Sequence, residues 1–309
     1  MIFQIDQTFY DRFSPEYRAQ LYSDIILHGH YVDCNYGLRV KFYDDINRHG
    51  STLQKNMKEK DPSLNISTTL KNYLTTLNVN NLDIHQLETL INKPALLLLE
   101  NEVNEKPVYI DIIQKYAKKD PYFKSLFLKL EDSLNNEDFC FVQAGGCSQI
   151  VPLFQSFDRG NYHGTAKFKI SFLVDRDTDS DHFFDKDKNP IFLFTCAKDS
   201  NSIVDSDIYV LNQINYIWHM WYFREIENYF PPRQYENNNL DPSDVIALPP
   251  KDWHYKDLTI IKGYEKKLLP KLTNGMSYVD YEEGLKKFPF YSDNISEMQL
   301  FLLKLVRII

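Results

Sequence analysis

The sequence has no hydrophobic run long enough to cross a membrane. Its longest purely aliphatic stretch is ALLLL at positions 95–99, whereas a membrane-spanning helix needs about 20 apolar residues. The N-terminus, MIFQIDQTFYDRF, carries acidic residues early and lacks the apolar core of a secretory signal. We therefore expect a soluble, cytoplasmic protein with no membrane partner.

Cysteines are few and scattered. The four are Cys34, Cys140, Cys147 and Cys196, and no two of them form a CxxC pair. This spacing indicates neither a disulfide framework nor a cysteine zinc site, and it fits a reducing compartment. The eight histidines lack the HExxH pattern and the paired spacing of zinc ligands, so no zinc site is predicted.

Positive charge is also in short supply. The chain has 35 Lys and Arg against 43 Asp and Glu, a formal net charge of −8. This balance argues against a protein that coats nucleic acid by bulk electrostatics. It leaves open an enzyme that acts on nucleic acid, because a cation held by carboxylates can supply the positive charge that faces a phosphate.

The patterning predicts three regions in a chain of 309 residues that can bury a large core. Residues 1–93 are polar, with helix-like spacing in LKNYLTTL and IHQLETLI, which predicts a mostly helical accessory region. In residues 94–232, apolar strands alternate with helices, which indicates an α/β core with a mostly parallel sheet covered by helices. The proline- and asparagine-rich stretch 231–252 indicates a linker, so residues 233–309 are predicted to be a linker and a helical C-terminal region.

The most unusual stretch is SFLVDRDTDSDHFFDKDKNP at positions 171–190. It contains six aspartates, namely Asp175, Asp177, Asp179, Asp181, Asp185 and Asp187. An EF-hand loop is excluded, since Ser180 and Lys186 stand where its glycine and glutamate belong. A solvated acidic loop is the simpler interpretation. However, Asp175 ends the strand-like run FKISFLVD, and strand alternation lets Asp175 and Asp177 point to one side, where they can share a metal.

A second strand candidate also ends on an acid, because Glu100 follows ALLLL. Alone, such a glutamate is usually only a strand terminator. Together with the later DxD of Asp175 and Asp177, it resembles the Toprim domain, the catalytic module of topoisomerases, bacterial primases and OLD-family nucleases. In that family a Glu ends the first strand, a DxD ends a later one, and the parallel sheet is covered by helices. The resemblance implies that these acids hold Mg²⁺ or Mn²⁺.

Three further stretches extend the resemblance over residues 94–270. QAGGCSQIV (143–151) stands where related proteins have a strand, a glycine turn and a helix. REIENYF (224–230) is similar to the helix that follows the DxD in OLD-like nucleases, which implies Glu227 as a metal ligand and Glu225 as the second choice. The simpler interpretation is that YIWHMWYFREIENYF is an amphipathic core helix. TIIKGYEKKLL (259–269) resembles a late Lys-Gly segment, which makes Lys262 a candidate catalytic residue.

The sequence departs from the family pattern at two points. Many members carry Gly after the first Glu and an acid four residues beyond it, whereas this chain has Asn101 and Asn104. Glu102 and Glu105 are the available substitutes, and one-metal and two-metal operation both stay open. OLD proteins also carry an ATPase domain, but no GxxxxGK[ST] motif is present here, so any ATPase is expected to be a partner protein.

The resemblance implies a metal-dependent nuclease that hydrolyses phosphodiester bonds of DNA or RNA. Asp175, Asp177 and Glu227 would hold Mg²⁺ or Mn²⁺, and Glu100 would act as ligand or general acid/base. Lys262 or Arg176 would offset charge in the transition state. Stand-alone relatives resemble toxic effectors of antiphage defence, often paired with an ATPase. Residues 1–93 would then bind that partner or form a homodimer.

Two other classes of function remain open at this stage. One is a non-catalytic module that binds metal or a nucleotide and partners an ATPase, since Asn101 and Asn104 depart from the catalytic pattern. The other is a nucleotide-sugar transferase, which also uses DxD to hold a metal against a diphosphate. That chemistry does not require Glu100 together with REIENY, so the sequence favours the nuclease.

Overall fold

The structure is a computed structural model, and it divides the chain into two compact units. It describes residues 1–59, 61–66, 68–175, 217–221, 223, 225–248, 257–283, 285, 287–290 and 293–309. The first unit comprises residues 1–93 and 158–168, and the second comprises 94–157 and 169–309. The first unit contains the predicted accessory region 1–93 and also residues 158–168, which the sequence analysis placed in the core. The C-terminal residues predicted as a separate region belong to the same unit as the second sheet.

The first unit is built on a small parallel sheet that the sequence analysis did not predict. Its strands are β1 (Ile2–Gln4), β2 (Tyr31–Asp33) and β3 (Thr76–Asn78), in the order β2-β1-β3. Each pairing is parallel. With three residues each, these strands are too short to display a period of two in the sequence. The predicted helix in IHQLETLI is present as Ile84–Asn92, but the one predicted in LKNYLTTL is wrong in its second half, because the helix ends at Tyr73 and Thr76–Asn78 form β3. The unit is therefore α/β.

Several helices of the first unit begin at side-chain caps. Its helices within residues 1–93 are α1 (Gln7–Asp11), α2 (Pro15–Leu27), α3 (Tyr36–His49), α4 (Thr52–Glu59), α5 (Thr68–Tyr73) and α6 (Ile84–Asn92). Asp6, Ser14 and Asn35 each accept a hydrogen bond from a backbone N–H in the first turn of the helix that follows, which satisfies donors that have no partner within the helix. Phe168, from the segment that returns to this unit, packs against its hydrophobic core.

The second unit contains a four-stranded parallel sheet. Its strands are β4 (Ala95–Leu99), β5 (Phe139–Gln143), β6 (Ile170–Val174) and β7 (Ile217–Met220), in the order β5-β4-β6-β7. All three pairings are parallel. Every residue of β4 and β6 is buried, which explains why the two strands read as continuous apolar runs. The predicted α/β class with a mostly parallel sheet is confirmed.

Helices flank this sheet and complete the unit. Those between the strands are α7 (Glu102–Lys119), α8 (Lys124–Asn135) and α9 (Cys147–Arg159), whereas α10 (Ala166–Lys169), which precedes β6, belongs almost entirely to the first unit. The later described helices are Pro232–Glu236, Ser243–Ile246, Leu269–Leu272, Tyr278–Glu282 and Glu297–Val306, and strand β8 (Lys287–Phe290) pairs antiparallel with β9 (Asp293–Ser296). The last helix is buried along its entire length. None of the described helices combines the length and apolarity that a membrane crossing requires.

One predicted helix is not present among the described residues. Within YIWHMWYFREIENYF, Ile217–Met220 form strand β7 and Ile226–Tyr229 form a short 3₁₀ helix. Trp218 lies in the strand, Trp221 lies just after it, and both are fully buried. Because a strand buried on both faces has no polar alternation, its apolar run cannot be distinguished from a buried helix by periodicity. The predicted strand FKISFLVD is also shorter than expected, since its first residues belong to α10.

Candidate active site

Glu100 and Asp175 lie side by side at the carboxyl edge of the second sheet. They directly follow β4 and β6, which are adjacent and parallel. The backbone N–H of Asp175 donates to Oε1 of Glu100 at 3.4 Å. The chain leaves β4 for β5 on one side and returns to β6 on the other. The two residues therefore flank the point where the strand order reverses, which is where open α/β sheets bind ligands.

Glu225 and Glu227 reach the same edge from the segment after β7. The backbone N–H of Glu225 donates to Oδ1 of Asn228 at 3.0 Å, which fixes the start of the 3₁₀ helix. Glu227 is held twice: Tyr264 Oη donates to its Oε1 at 3.2 Å, and Tyr235 Oη donates to its backbone carbonyl at 2.8 Å. Both glutamates are almost fully buried. The 3₁₀ helix thus presents two acids where the sequence analysis expected a regular helix to present them.

Glu105 supplies a further buried acid. It lies in the first turns of α7 and is 8% exposed, and its carboxyl group interacts electrostatically with those of Glu100 and Asp175. Glu102, the other substitute considered from sequence, instead pairs with Lys106 at 3.1 Å along the outer side of the helix. We refer to the five acids at this edge as the acidic cluster: Glu100, Glu105, Asp175, Glu225 and Glu227.

Three members of the acidic cluster have raised pKa values. Burial raises the pKa of Glu105 to about 8, and repulsion from Glu100 adds to that rise. Burial also raises the pKa of Glu227 to about 8, with the charge of Glu225 and a hydrogen bond to its carboxyl group acting in the same direction. The pKa of Asp175 lies well above its usual range, because of burial and then the charge of Glu105. The carboxyl groups of the cluster therefore cannot all be ionised at neutral pH without an added cation.

Lys266 provides positive charge to the acidic cluster. Its Nζ lies 2.9 Å from Oε2 of Glu225 and 3.6 Å from Oδ2 of Asp175. Burial acts to lower the pKa of Lys266, but the carboxylates of Asp175, Glu227 and Glu225 outweigh that effect and raise the pKa. Lys266 is therefore charged over the physiological pH range.

The structure does not bring Lys262 to these carboxylates. Lys262 lies in an exposed turn beside Gly263, whose φ of +85° is unfavourable for other residues. Among the described residues, Lys262 takes part in no ion pair of the acidic cluster, whereas Lys266 takes part in two. The expected lysine therefore comes from the predicted segment but from a position four residues later. The sequence gives no local signal for this difference, because Lys266 and Lys267 read as ordinary solvated charges.

The donor chemistry at this edge fits a hard divalent cation. Mg²⁺ and Mn²⁺ favour carboxylate oxygens. The Lys266 ammonium already places one positive charge between Asp175 and Glu225. In the part of the chain that the structure describes, no group of three or more carboxylate, histidine or cysteine side chains is positioned to hold a metal ion. Asp177, the second acid of the predicted DxD, lies outside the described residues, as do Arg176 and Asp179, Asp181, Asp185 and Asp187.

The glycine turn after β5 lies at the same edge. The sequence predicts a strand, a turn and a helix over 143–151, and the structure has β5, a turn and α9 in that order. Gly145 and Gly146 have φ values of +82° and +111°, which only glycine adopts without strain. The N–H of Ala144 donates to the carbonyl of Leu99 at 2.7 Å. The turn is therefore attached to the end of β4, one residue before Glu100.

The first unit has a polar recess at the carboxyl edge of its own sheet, with a volume of about 410 Å³. It is lined by Gln4, Ile5, Asp6, Asp33, Cys34, Asn35 and Asn80. Its two carboxylates already have partners, since Asp6 accepts from Asn80 Nδ2 at 2.9 Å and Asp33 pairs with Lys71 at 3.3 Å. This recess has less uncompensated charge than the acidic cluster, which is consequently the better candidate for a metal.

Comparison of the chain with protein-family models, with curated proteins and with solved structures gave no match. The candidate site therefore depends on the geometry and chemistry of the residues described above.

Proposed function

We propose that this chain is a metal-dependent nuclease that hydrolyses phosphodiester bonds in DNA or RNA. The observation that carries the proposal is the convergence of acids from three strand ends on the point where the strand order reverses. Glu100 follows β4, Asp175 follows β6, and Glu225 and Glu227 follow β7. The resemblance to the Toprim domain involves the same acids, so the sequence pattern and the geometry support one proposal.

Each residue has a role in the proposed reaction. Asp175, Glu225 and Glu227 would hold Mg²⁺ or Mn²⁺, together with Asp177 as the sequence predicts. When bound, such an ion polarises a phosphate and lowers the pKa of an attacking water. Glu100 would be a further ligand or the general base. Glu105, which burial and the charge of Glu100 keep protonated more readily than an ordinary glutamate in the metal-free protein, would be the general acid for the leaving oxygen.

A second function is favoured by the start of α7. Asn101 caps this helix, because its Oδ1 accepts a hydrogen bond from the N–H of Asn104 at 3.4 Å. Asn101 and Asn104 stand where Toprim relatives carry glycine and an acid, and neither supplies a charge. A non-catalytic module that binds metal or a nucleotide would tolerate that change. The alternative therefore retains the acidic cluster but predicts no turnover.

The deciding experiment is incubation with plasmid DNA and with bulk RNA in Mn²⁺, Mg²⁺ or EDTA. The nuclease proposal expects cleavage of at least one substrate with metal, no cleavage in EDTA, and none by Asp175→Asn. Glu102→Gln is the matched control, since Glu102 lies on the same helix as Glu105 but pairs outward with Lys106. It should cleave like the wild type. Mn²⁺ binding without cleavage of either substrate would favour the non-catalytic module.

The biological setting is proposed from the resemblance. The chain would act in the cytoplasm as a toxic effector of antiphage defence, with an ATPase partner, and the free thiols of Cys34 and Cys140 fit a reducing compartment. The first unit would bind that partner or a second copy of the chain. Light scattering after size-exclusion chromatography tests the homodimer directly. If the protein is a monomer at micromolar concentration, the proposal that remains is that the first unit binds the ATPase partner.

A further inference from the structure

The Lys266 ammonium joins two carboxylates that come from distant parts of the chain. Its Nζ lies 2.9 Å from Oε2 of Glu225 and 3.6 Å from Oδ2 of Asp175. The side chains of those acids are 8% and 12% exposed, whereas that of Lys266 is 40% exposed. The acids are therefore fixed in the protein interior, and the lysine approaches them from the solvent side.

The ammonium balances charge in the metal-free protein. The positive charge of Lys266 lowers the pKa of Glu105, Asp175 and Glu227, in opposition to burial and to repulsion among the acids. Among the described residues, Lys266 is the cation that forms ion pairs with members of the acidic cluster. Without it, the repulsion within the cluster would increase.

A divalent ion and this ammonium would need the same oxygens. Mg²⁺ favours carboxylate oxygens, and an ion held by Glu225 and Asp175 would take up oxygens that now pair with Nζ of Lys266. Two cations held by the same two carboxylates repel strongly in a partly buried site. Simultaneous occupation of both oxygens is therefore unfavourable.

The local structure lets the lysine leave while its segment stays in place. Tyr264, two residues earlier, is buried and donates to Glu227, so the backbone of this segment is held independently of the ammonium. Lys266 begins a short 3₁₀ helix, Lys266–Leu268, and its half-exposed side chain can rotate into solvent without opening the core.

We infer that Lys266 is a built-in counter-ion of the acidic cluster that a divalent cation must displace from Asp175 and Glu225. The inference rests on the proposed function, because it assumes that these acids hold a metal. The lysine stabilises the metal-free protein and weakens metal binding, so the site exchanges one cation for another. Free Mg²⁺ or Mn²⁺ concentration then sets which cation the acids hold.

The test compares Lys266→Gln with Lys262→Gln. Lys262 is the matched control because it is an exposed lysine of the same segment that forms no ion pair with the acidic cluster among the described residues. Mn²⁺ affinity is measured by titration without nucleic acid, with free Mn²⁺ followed by electron paramagnetic resonance. We expect Lys266→Gln to bind Mn²⁺ on the order of tenfold more tightly than the wild type and to unfold at a lower temperature in EDTA. Lys262→Gln should match the wild type in both measurements.

A second measurement uses the wild type and does not depend on how well a variant folds. The rate of Lys266 acetylation by acetic anhydride is followed by peptide mass mapping in EDTA and in saturating Mn²⁺. Displacement by the metal should raise the rate at Lys266 and leave the rate at Lys262 unchanged.

The outcomes separate this inference from the proposed function. If the wild type binds Mn²⁺ but Lys266→Gln binds it equally or more weakly, the counter-ion exchange is wrong and the metal site stands. An acetylation rate at Lys266 that Mn²⁺ does not change also overturns the exchange. If neither the wild type nor Lys266→Gln binds Mn²⁺, the metal-dependent function and the exchange both fail.

Discussion

The backbone N–H of Asp175 lies 3.4 Å from Oε1 of Glu100, although the two residues are 75 positions apart. The contact joins the ends of two neighbouring parallel strands, β4 and β6. Because strand ends are fixed by the sheet, acids at these positions have a defined separation before any ligand binds. The acidic cluster is therefore built on a rigid edge, to which the segments after β7 and around Lys266 add further groups.

The first prediction concerns Asp175→Asn. The substitution keeps the volume of the side chain and removes one charge from a crowded acidic site. We expect it to abolish metal-dependent cleavage and to leave the protein in EDTA as stable as the wild type or slightly more stable, since repulsion decreases. Mn²⁺ should raise the melting temperature of the wild type by ligand linkage and that of the variant much less. Differential scanning fluorimetry with and without Mn²⁺ measures this. Unfolding of the variant in EDTA would instead assign Asp175 a structural role.

The second prediction concerns the pH dependence of stability in EDTA. The pKa values of Glu105 and Glu227 are about 8 in the folded protein, against about 4.3 for an unfolded glutamate. Between these values the folded state binds more protons than the unfolded state, so the free energy of unfolding falls as pH rises. The fall is up to about 1.4 kcal/mol per pH unit for each group.

Urea denaturation in EDTA between pH 5 and 8 measures this slope. Glu105→Gln, which mimics the protonated acid, should reduce the slope, whereas Glu102→Gln should leave it unchanged. A slope that is the same in the wild type and in Glu105→Gln would show that Glu105 ionises normally in the folded protein.

The third prediction uses two tyrosines that hold the same residue. Tyr264 donates to the carboxylate of Glu227 and Tyr235 donates to its backbone carbonyl. Removing either hydroxyl, as in Tyr264→Phe or Tyr235→Phe, should cost about 1 kcal/mol of unfolding free energy, because a buried acceptor loses its partner. Since only Tyr264 contacts the carboxylate, only Tyr264→Phe should change the affinity for Mn²⁺. Equal changes in affinity for both variants would mean that Glu227 acts through the position of its backbone alone.

The fourth prediction concerns nucleic acid binding. Because the chain has a net charge of −8, productive binding must depend on a local set of Lys and Arg. The affinity of Asp175→Asn for a labelled oligonucleotide in Mn²⁺ should therefore fall steeply with salt, by about 0.9 in log K per log unit of salt for each duplex phosphate neutralised. Fluorescence anisotropy between low and physiological salt measures it. An affinity that does not change with salt would point to a partner other than nucleic acid.

Some of the candidate site could be predicted from sequence. Glu100 and Asp175 each follow an apolar run, and parallel strands bring their carboxyl ends to one edge. Glu225 and Glu227 were assigned to the site, but on a regular helix, because the run before them is apolar on both faces. Their actual support is β7 and a 3₁₀ helix.

Other parts of the site depend on tertiary packing that local patterns do not encode. Glu102 and Glu105 were equally good candidates in sequence, and only the direction of α7 turns Glu105 inward and leaves Glu102 paired with Lys106. Lys262 was predicted as the lysine of the site and Lys266 was missed. The sequence of a lysine-rich segment is the same whether its side chains face water or a carboxylate. The partner of such a lysine lies far away along the chain, where sequence periodicity carries no information.

The discontinuous make-up of the first unit has a consequence during translation. Residues 158–168 belong to the first unit, and Phe168 packs against the core formed by residues 1–93. Domains generally fold from the N-terminus as they leave the ribosome. Here the first unit can gain its last core contact only after residue 168 has emerged, when β4, β5 and α7–α9 of the second unit have already been synthesised. Completion of the N-terminal unit is thus delayed until a large part of the unit that carries the acids has been synthesised.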